Sequence, residues 1–212
     1  MSSHWADAVW RSIQILITKV LTTFYRRAII VARSLHNEIP NLQPCLPVTI
    51  AVLTGKDLPA YHQFRPDQNM TLIQGRLERG DRCYVAWHEG RIVHAAWVCT
   101  KDIYDPYLRR TLLLQPGDIR IYDSYTLPAY RRHGLAHTRG IHVLRQYQEE
   151  GFRRSTAIVA LENKGSLGEV KVLGYHPIGI FRCVRLGSWQ WDWEEAWSDE
   201  PLPILTKKGL KR

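Results

Sequence analysis

Residues 126–136 read T-L-P-A-Y-R-R-H-G-L-A. The run before them, I-R-I-Y-D-S-Y-T-L over residues 119–127, is rich in β-branched and aromatic side chains and reads as a strand. The stretch after them, residues 135–150, places Ile141, Leu144 and Tyr147 at three-residue steps and ends before Gly151, so it reads as a helix with a C-cap. The segment is therefore a strand–loop–helix joint. Gly134 supplies a permissive backbone and Ala136 is small enough for a close approach. A helix N-terminus offers unpaired N–H groups and the positive end of a dipole, and Arg131 and Arg132 add full charge beside it. These are the physical requirements for holding a pyrophosphate. The joint lacks the Gly-Lys-Ser/Thr ending of a Walker A loop and the G-x-G-x-x-G of a dinucleotide-binding turn.

Before this joint, residues 48–53 read as a strand, 57–64 and 70–78 as short helices, and 82–88 with 91–100 as a hairpin around Glu89-Gly90. Residues 155–161 read as a strand, 166–173 as a helix stopped by Gly174, and 175–186 as one or two final strands. This order predicts an α/β fold with a mixed sheet. Residues 5–36 carry Trp10, Ile13, Ile17, Val20, Phe24, Ala28, Val31 and Leu35 at three- and four-residue steps, which predicts an extra N-terminal amphipathic helix. Pro40, Pro44 and Pro47 then mark a linker. The expected division is an appendage over 1–47, a core domain over 48–188 and a tail over 189–212. In the tail Trp189, Trp191 and Trp193 alternate and share one strand face. They pack on the N-terminal helix or line an acceptor or acyl pocket. The N-terminal helix in turn packs on the domain, pairs with a second copy as a homodimer, or lies on a membrane surface through residues 5–36.

The chain has 212 residues, 45% of them hydrophobic, which suits one domain with a real core. Its net charge of +9 favours anionic partners, and nucleic acid, anionic lipid and a polyphosphate cofactor all qualify. No nucleic-acid motif accompanies the charge, so no nucleic-acid partner is expected. Cys45, Cys83, Cys99 and Cys183 never fall at C-x-x-C spacing, so no metal is expected and the thiols read as free, in a reducing compartment. The start, M-S-S-H-W-A-D, shows no basic leader region, and no apolar run reaches eighteen uncharged residues. The expected location is the cytoplasm.

Arg131-x-x-Gly134-x-Ala136 resembles the R/Q-x-x-G-x-G/A signature of the GNAT acetyltransferase superfamily, and Pro128 and Tyr130 stand where that family has P-x-Y-R. Asn163, Ser166 and Gly174-Tyr175 resemble its downstream N-x-x-A/S…G-F/Y pattern, and the element order from residue 48 to 186 is similar. The resemblance covers roughly two thirds of the chain. It implies a GNAT-like, mostly antiparallel central sheet flanked by helices, and an N-acyltransferase using acetyl-CoA or another acyl-CoA as co-substrate. The acceptor would be a primary amine on a small molecule, sugar or peptide. The resemblance further implies that Ser124, Tyr125 and Thr126 splay from the neighbouring strand and pair with the pantetheine arm. Arg131, Arg132, His133, Gly134, Leu135, Ala136 and His137 would surround the pyrophosphate, and Asn163 would bond the cofactor from the next strand. A main-chain N–H near Tyr125–Thr126 would polarise the thioester carbonyl.

The family's usual general-acid tyrosine falls at Val170 and its usual base position at Ile158, so the acid–base pair does not carry over. Asp123, Tyr125 and Glu162 are the expected replacements, with His94 also nearby. Asp123 stands first because it interrupts an apolar strand; a structural hydrogen bond to a loop is its alternative reading. Two other functions stay open: a non-catalytic CoA-binding scaffold of the same fold, and a basic protein of the membrane surface.

Overall fold

The computed structural model describes residue 10, residues 24–41 and residues 45–206. Its centre is an eight-stranded sheet of order β10-β9-β1-β8-β7-β4-β3-β2. The strands are β1 (Tyr25–Ser34), β2 (Thr49–Val52), β3 (Arg82–His88), β4 (Arg91–Cys99), β7 (Asp118–Thr126), β8 (Arg154–Ala160), β9 (His176–Leu186) and β10 (Trp189–Ala196). Every neighbouring pair is antiparallel except β7 and β8. The mixed, mostly antiparallel sheet is thus as the sequence led us to expect. The β3–β4 hairpin turns on Glu89 and Gly90, both at positive φ (47° and 75°), the backbone that a two-residue turn between twisted strands requires.

The single parallel pair needs a crossover, and α3 (Leu135–Glu149) provides it. With α4 (Lys164–Val172), it covers one face of the sheet through a core of Val31, Tyr84, Val98, Ile119, Leu144 and Tyr147. The opposite face carries α1 (Leu58–Phe64) and α2 (Met70–Arg79), packed on Trp97, Cys83 and Val85 through Tyr61, Phe64 and Ile73. Beside them lies a three-stranded sheet of order β11-β6-β5, built from β5 (Ile103–Asp105), β6 (Arg110–Leu113) and β11 (Ile204–Thr206). Its Leu112 and the neighbouring Leu108 meet Ala28, Ile30 and Phe181 of the main sheet.

Residues 25–34 correct the expected N-terminal helix. They form β1, which sits inside the sheet between β8 and β9. The misreading has a physical cause. Both faces of β1 are covered, Ala28, Ile30 and Ala32 on one and Val31 on the other, so its apolar residues run on without alternation. Such a run matches helical and strand templates alike, and the β-branched Ile29-Ile30-Val31 is the feature that distinguishes them. Of the remainder of the expected helix, Trp10 and Phe24 are in helical conformation, Leu35 and His36 form a turn after β1, and the rest lies outside the described residues. The appendage boundary at residue 47 therefore cuts through the folded unit.

The boundary at residue 188 does the same, because β10 pairs with β9 along its whole length and forms the sheet edge. One face of β10 is locked down: Asp192 forms a 2.7 Å ion pair with Arg110, and Gln190 donates to the Leu108 carbonyl. The other face carries the tryptophans. Trp193 stacks on Tyr25 at 6.4 Å between centroids, while Trp189 and Trp191 are 82% and 80% exposed.

Candidate functional site

β7 and β8 pair only at Asp118–Arg154, Ile119–Ser155 and Arg120–Thr156. Beyond that the strands part: β7 runs on to Thr126 with β4 on its other side, and β8 runs on to Ala160 beside β1. Residues 121–126 therefore have an open edge toward β8. The β4–β7 register also slips between Ala95 and Trp97, since Ala95 faces Tyr125 while Trp97 faces Tyr122. Two steps on β4 oppose three on β7, which is a bulge with its extra residue in β7. Asp123 sits in the bulge at φ 47°, a left-handed conformation that aspartate tolerates better than most residues. The extra residue shifts the alternation. Tyr122 and Tyr125 face the α1–α2 side, where Tyr125 packs on Phe64 with Arg65 over its ring, whereas Ser124 and Thr126 face α3.

The open edge leads directly to the joint of residues 126–136. A short 3-10 turn, Pro128–Tyr130, leaves the strand, and Arg132 (φ 67°) and Gly134 (φ 74°) both adopt left-handed backbone before α3 begins. Gly134 is the N-cap and no side chain caps the helix, so the N–H groups of its first turn remain open. Cys45 N–H donates to the His133 carbonyl and ties the loop from behind. A cleft of about 600 Å3 results. Ser124, Tyr125 and Thr126 line it, as do Tyr130, Arg131, Arg132, Gly134, Leu135, Ala136 and His137. Asn163, Gly165, Ser166 and Glu169 form the wall opposite. Every residue expected to hold the cofactor borders this cleft except His133.

Beneath the cleft lies a polar cluster that was largely missed in sequence. Arg139 of α3 is fully buried. Its Nη2 donates to Glu169 Oε1 at 2.6 Å and to Ser124 Oγ at 3.2 Å, and its Nε donates to His94 Nε2 at 3.2 Å. Its Nη1 is buried with no hydrogen-bond partner among the described residues. Arginine can only donate, so His94 Nε2 accepts and the imidazole proton is on Nδ1, which donates to Thr126 Oγ1 at 2.8 Å. Burial, and secondarily the Arg139 charge, hold the His94 pKa well below 6.5, so the ring is neutral.

A pH dependence follows. Below about pH 6.5 the unfolded chain takes up a proton at this position and the folded chain does not. The contribution of His94 is fully present above that pH and declines as pH falls toward the folded-state pKa, by up to about 1.4 kcal/mol per unit. His142, lowered by burial, acts with the same sign; Glu150, lowered from 4.5, acts only in a more acidic window. Urea unfolding of the wild type and His94→Gln between pH 5 and 7.5 measures the effect. An identical slope in both proteins would remove His94 from the account.

Of the residues expected to carry acid–base chemistry, Asp123 is clamped between Arg76 (2.6 Å) and Arg65 (3.6 Å), which engage both its oxygens and pin the bulge to α1 and α2. Tyr125 borders the cleft with its ring on the opposite side. Glu162 is exposed and does not line the cleft. Asn163 caps α4, its Oδ1 accepting from Ser166 N–H. Val170 packs into the α3–α4 core and Ile158 into the opposite one, so both positions serve as packing. Among the described residues no group of three or more His, Cys, Asp or Glu could hold a metal ion, and no helix is long and apolar enough to cross a membrane.

The model of the acetyltransferase (GNAT) family matches residues 51–175. Among solved structures, the chain is similar to a glucosamine N-acetyltransferase region of a fungal multi-domain β-N-acetylglucosaminidase, at TM-score 0.57 and 16% identity over 81% of this chain and 22% of that one. It is also similar to a putative GNAT-family acetyltransferase from Novosphingobium aromaticivorans, at TM-score 0.52 and 14% identity over 74% and 62% of the two chains. A third is an AAC(6')-Iy structure in complex with a CoA-containing bisubstrate analogue, at TM-score 0.50 and 15% identity over 61% and 91%. The chain thus spans less than two thirds of the first two. At these identities the structures establish a shared fold, and the family model, which spans more than half of the sequence, establishes kinship. This chain belongs to the acetyltransferase (GNAT) family.

Proposed function

We propose that this protein transfers an acetyl or longer acyl group from coenzyme A to a primary amine by direct attack on the thioester. The observation that carries the reading is the parting of β7 and β8 over the uncapped N-terminus of α3, with the cleft between them. The open edge of residues 124–126 offers main-chain groups to an extended amide-bearing arm, which would displace the Arg131 Nε that now donates to the Thr126 carbonyl at 3.3 Å. The first-turn N–H groups of α3, with Arg131 and Arg132, match a pyrophosphate in charge and geometry. Asn163, its Oδ1 already engaged, has its Nδ2 donors to offer. A main-chain N–H near Tyr125–Thr126 polarises the carbonyl in this reading. The amine's proton leaves through water rather than through the clamped Asp123, the outlying Glu162 or Tyr125, whose ring packs on Phe64 away from the cleft, and no metal is required. The acceptor is an amine on a small molecule, sugar or peptide.

A thermal-shift series with acetyl-CoA and longer acyl-CoAs tests this. A ligand at a hundred times its Kd should add about 2.7 kcal/mol of stability. No shift with any acyl-CoA would overturn the reading. The position of Val170 in the core favours one competitor, a CoA-binding scaffold without chemistry. CoA binding without thiol release across a broad amine panel selects the scaffold; one productive amine eliminates it.

A further inference from the structure

We propose that the Ser124 hydroxyl, held by the buried Arg139, is the group that stabilises the coenzyme sulfur as it leaves. This rests on the coenzyme reading of the cleft. Of the β7 residues lining the cleft, Ser124 lies farthest from the loop and nearest the point where the strands meet. A pantetheine arm running from the helix N-terminus past Thr126 and Tyr125 brings its thiol end there.

The hydrogen-bond inventory then fixes what Ser124 can do. A hydroxyl has one proton and two lone pairs. Arg139 Nη2 donates to the oxygen at 3.2 Å, which occupies a lone pair and leaves the O–H free to donate into the cleft. Ser124 itself is exposed, whereas Arg139 is fully buried. Its charge is met by one carboxylate, Glu169, and by a neutral His94, and its Nη1 has no hydrogen-bond partner among the described residues. A desolvated cation with a spare donor polarises the hydroxyl it holds, and hydrogen bonds polarised in this way strengthen one another.

When the amine nitrogen bonds to the carbonyl carbon, the C–S bond breaks and its electron pair goes to sulfur. Ser124 donates a hydrogen bond to that developing thiolate and keeps its proton. The proton lost by nitrogen passes to water and finally to the thiolate, giving amide and free thiol. Arg139 is a positioning residue in this scheme, since it acts through Ser124.

Binding alone tests the proposal, without knowledge of the acceptor. CoA and desulfo-CoA are titrated calorimetrically into the wild type, Ser124→Ala and Ser124→Thr between pH 7 and 9.5, a range over which a thiol becomes a thiolate. The wild type should bind CoA about tenfold more tightly than desulfo-CoA at the upper pH, the scale of one hydrogen bond to a charged group, and less so at pH 7. Ser124→Thr should keep that preference. Ser124→Ala should lose it and still bind desulfo-CoA like the wild type. An unchanged preference in Ser124→Ala, or none in the wild type, overturns the role of the serine. So does equal weakening of both ligands in Ser124→Ala, which would assign the residue to folding of the cleft. Failure of the wild type to bind either ligand instead overturns the coenzyme reading itself.

Discussion

Arg139→Leu is expected to destabilise the protein by about 3–5 kcal/mol, the usual cost of removing one partner of a buried ion pair. The reason is what the substitution leaves behind. Glu169, 13% exposed at the side chain, would keep a carboxylate with its cation gone, and the His94 Nε2 would keep a lone pair with no donor. Each is an unmet polar group in a low-dielectric interior. The double substitution Arg139→Leu/Glu169→Leu removes the orphaned charge as well, so it should recover a large share of the loss. Urea unfolding midpoints of the wild type, the single and the double variant decide the matter. A single variant within about 1 kcal/mol of the wild type, or a double variant no better than the single, would show that the cluster is not a coupled unit.

Gly134→Val should abolish the stabilisation that acyl-CoA confers while leaving a folded protein. Gly134 holds φ 74° at the N-cap of α3. A β-branched residue there costs roughly 1–2 kcal/mol in backbone strain, small beside a typical domain stability of 5–15 kcal/mol. The larger effect falls on the ligand. Gly134 lines the cleft beside the first turn of α3, so an added side chain would crowd the ligand there, and relief of the strain would rotate the first-turn N–H donors away. The ligand-induced rise in Tm should vanish. A full shift retained in Gly134→Val would place the pyrophosphate elsewhere.

Much of the fold was legible because its signals are local. The joint at residues 126–136, the Glu89-Gly90 hairpin and the stops at Gly151 and Gly174 depend on backbone conformations that a few residue types supply, and the glycines and Glu89 adopt them. The strand β1 was not legible, since burial on both faces erases the alternation that marks a strand. The lining of the cleft was readable from the joint, but the cluster under it was not. Arg139 falls at the fourth residue after Leu135 and the fourth before Val143, both buried, so a charge stands in the core stripe of α3. That was the available signal. Its partners come from β4, β7 and α4, and no local pattern announces a contact made across four elements.

The position of β1 bears on how the chain is made. It is made well before its partners, β8 and β9: Ala28 meets Ala160 on one side and Phe181 on the other. At 5–20 residues per second, synthesis of the intervening chain takes on the order of 7–30 s. Through that interval A-I-I-V-A, an uncharged run of high β-propensity, waits without either neighbour. Pairing over such separations is slow to begin, because the loop must close before any contact repays it. The nascent protein is therefore exposed to self-association over those seconds, and a chaperone that shields residues 28–32 would cover the segment through its wait.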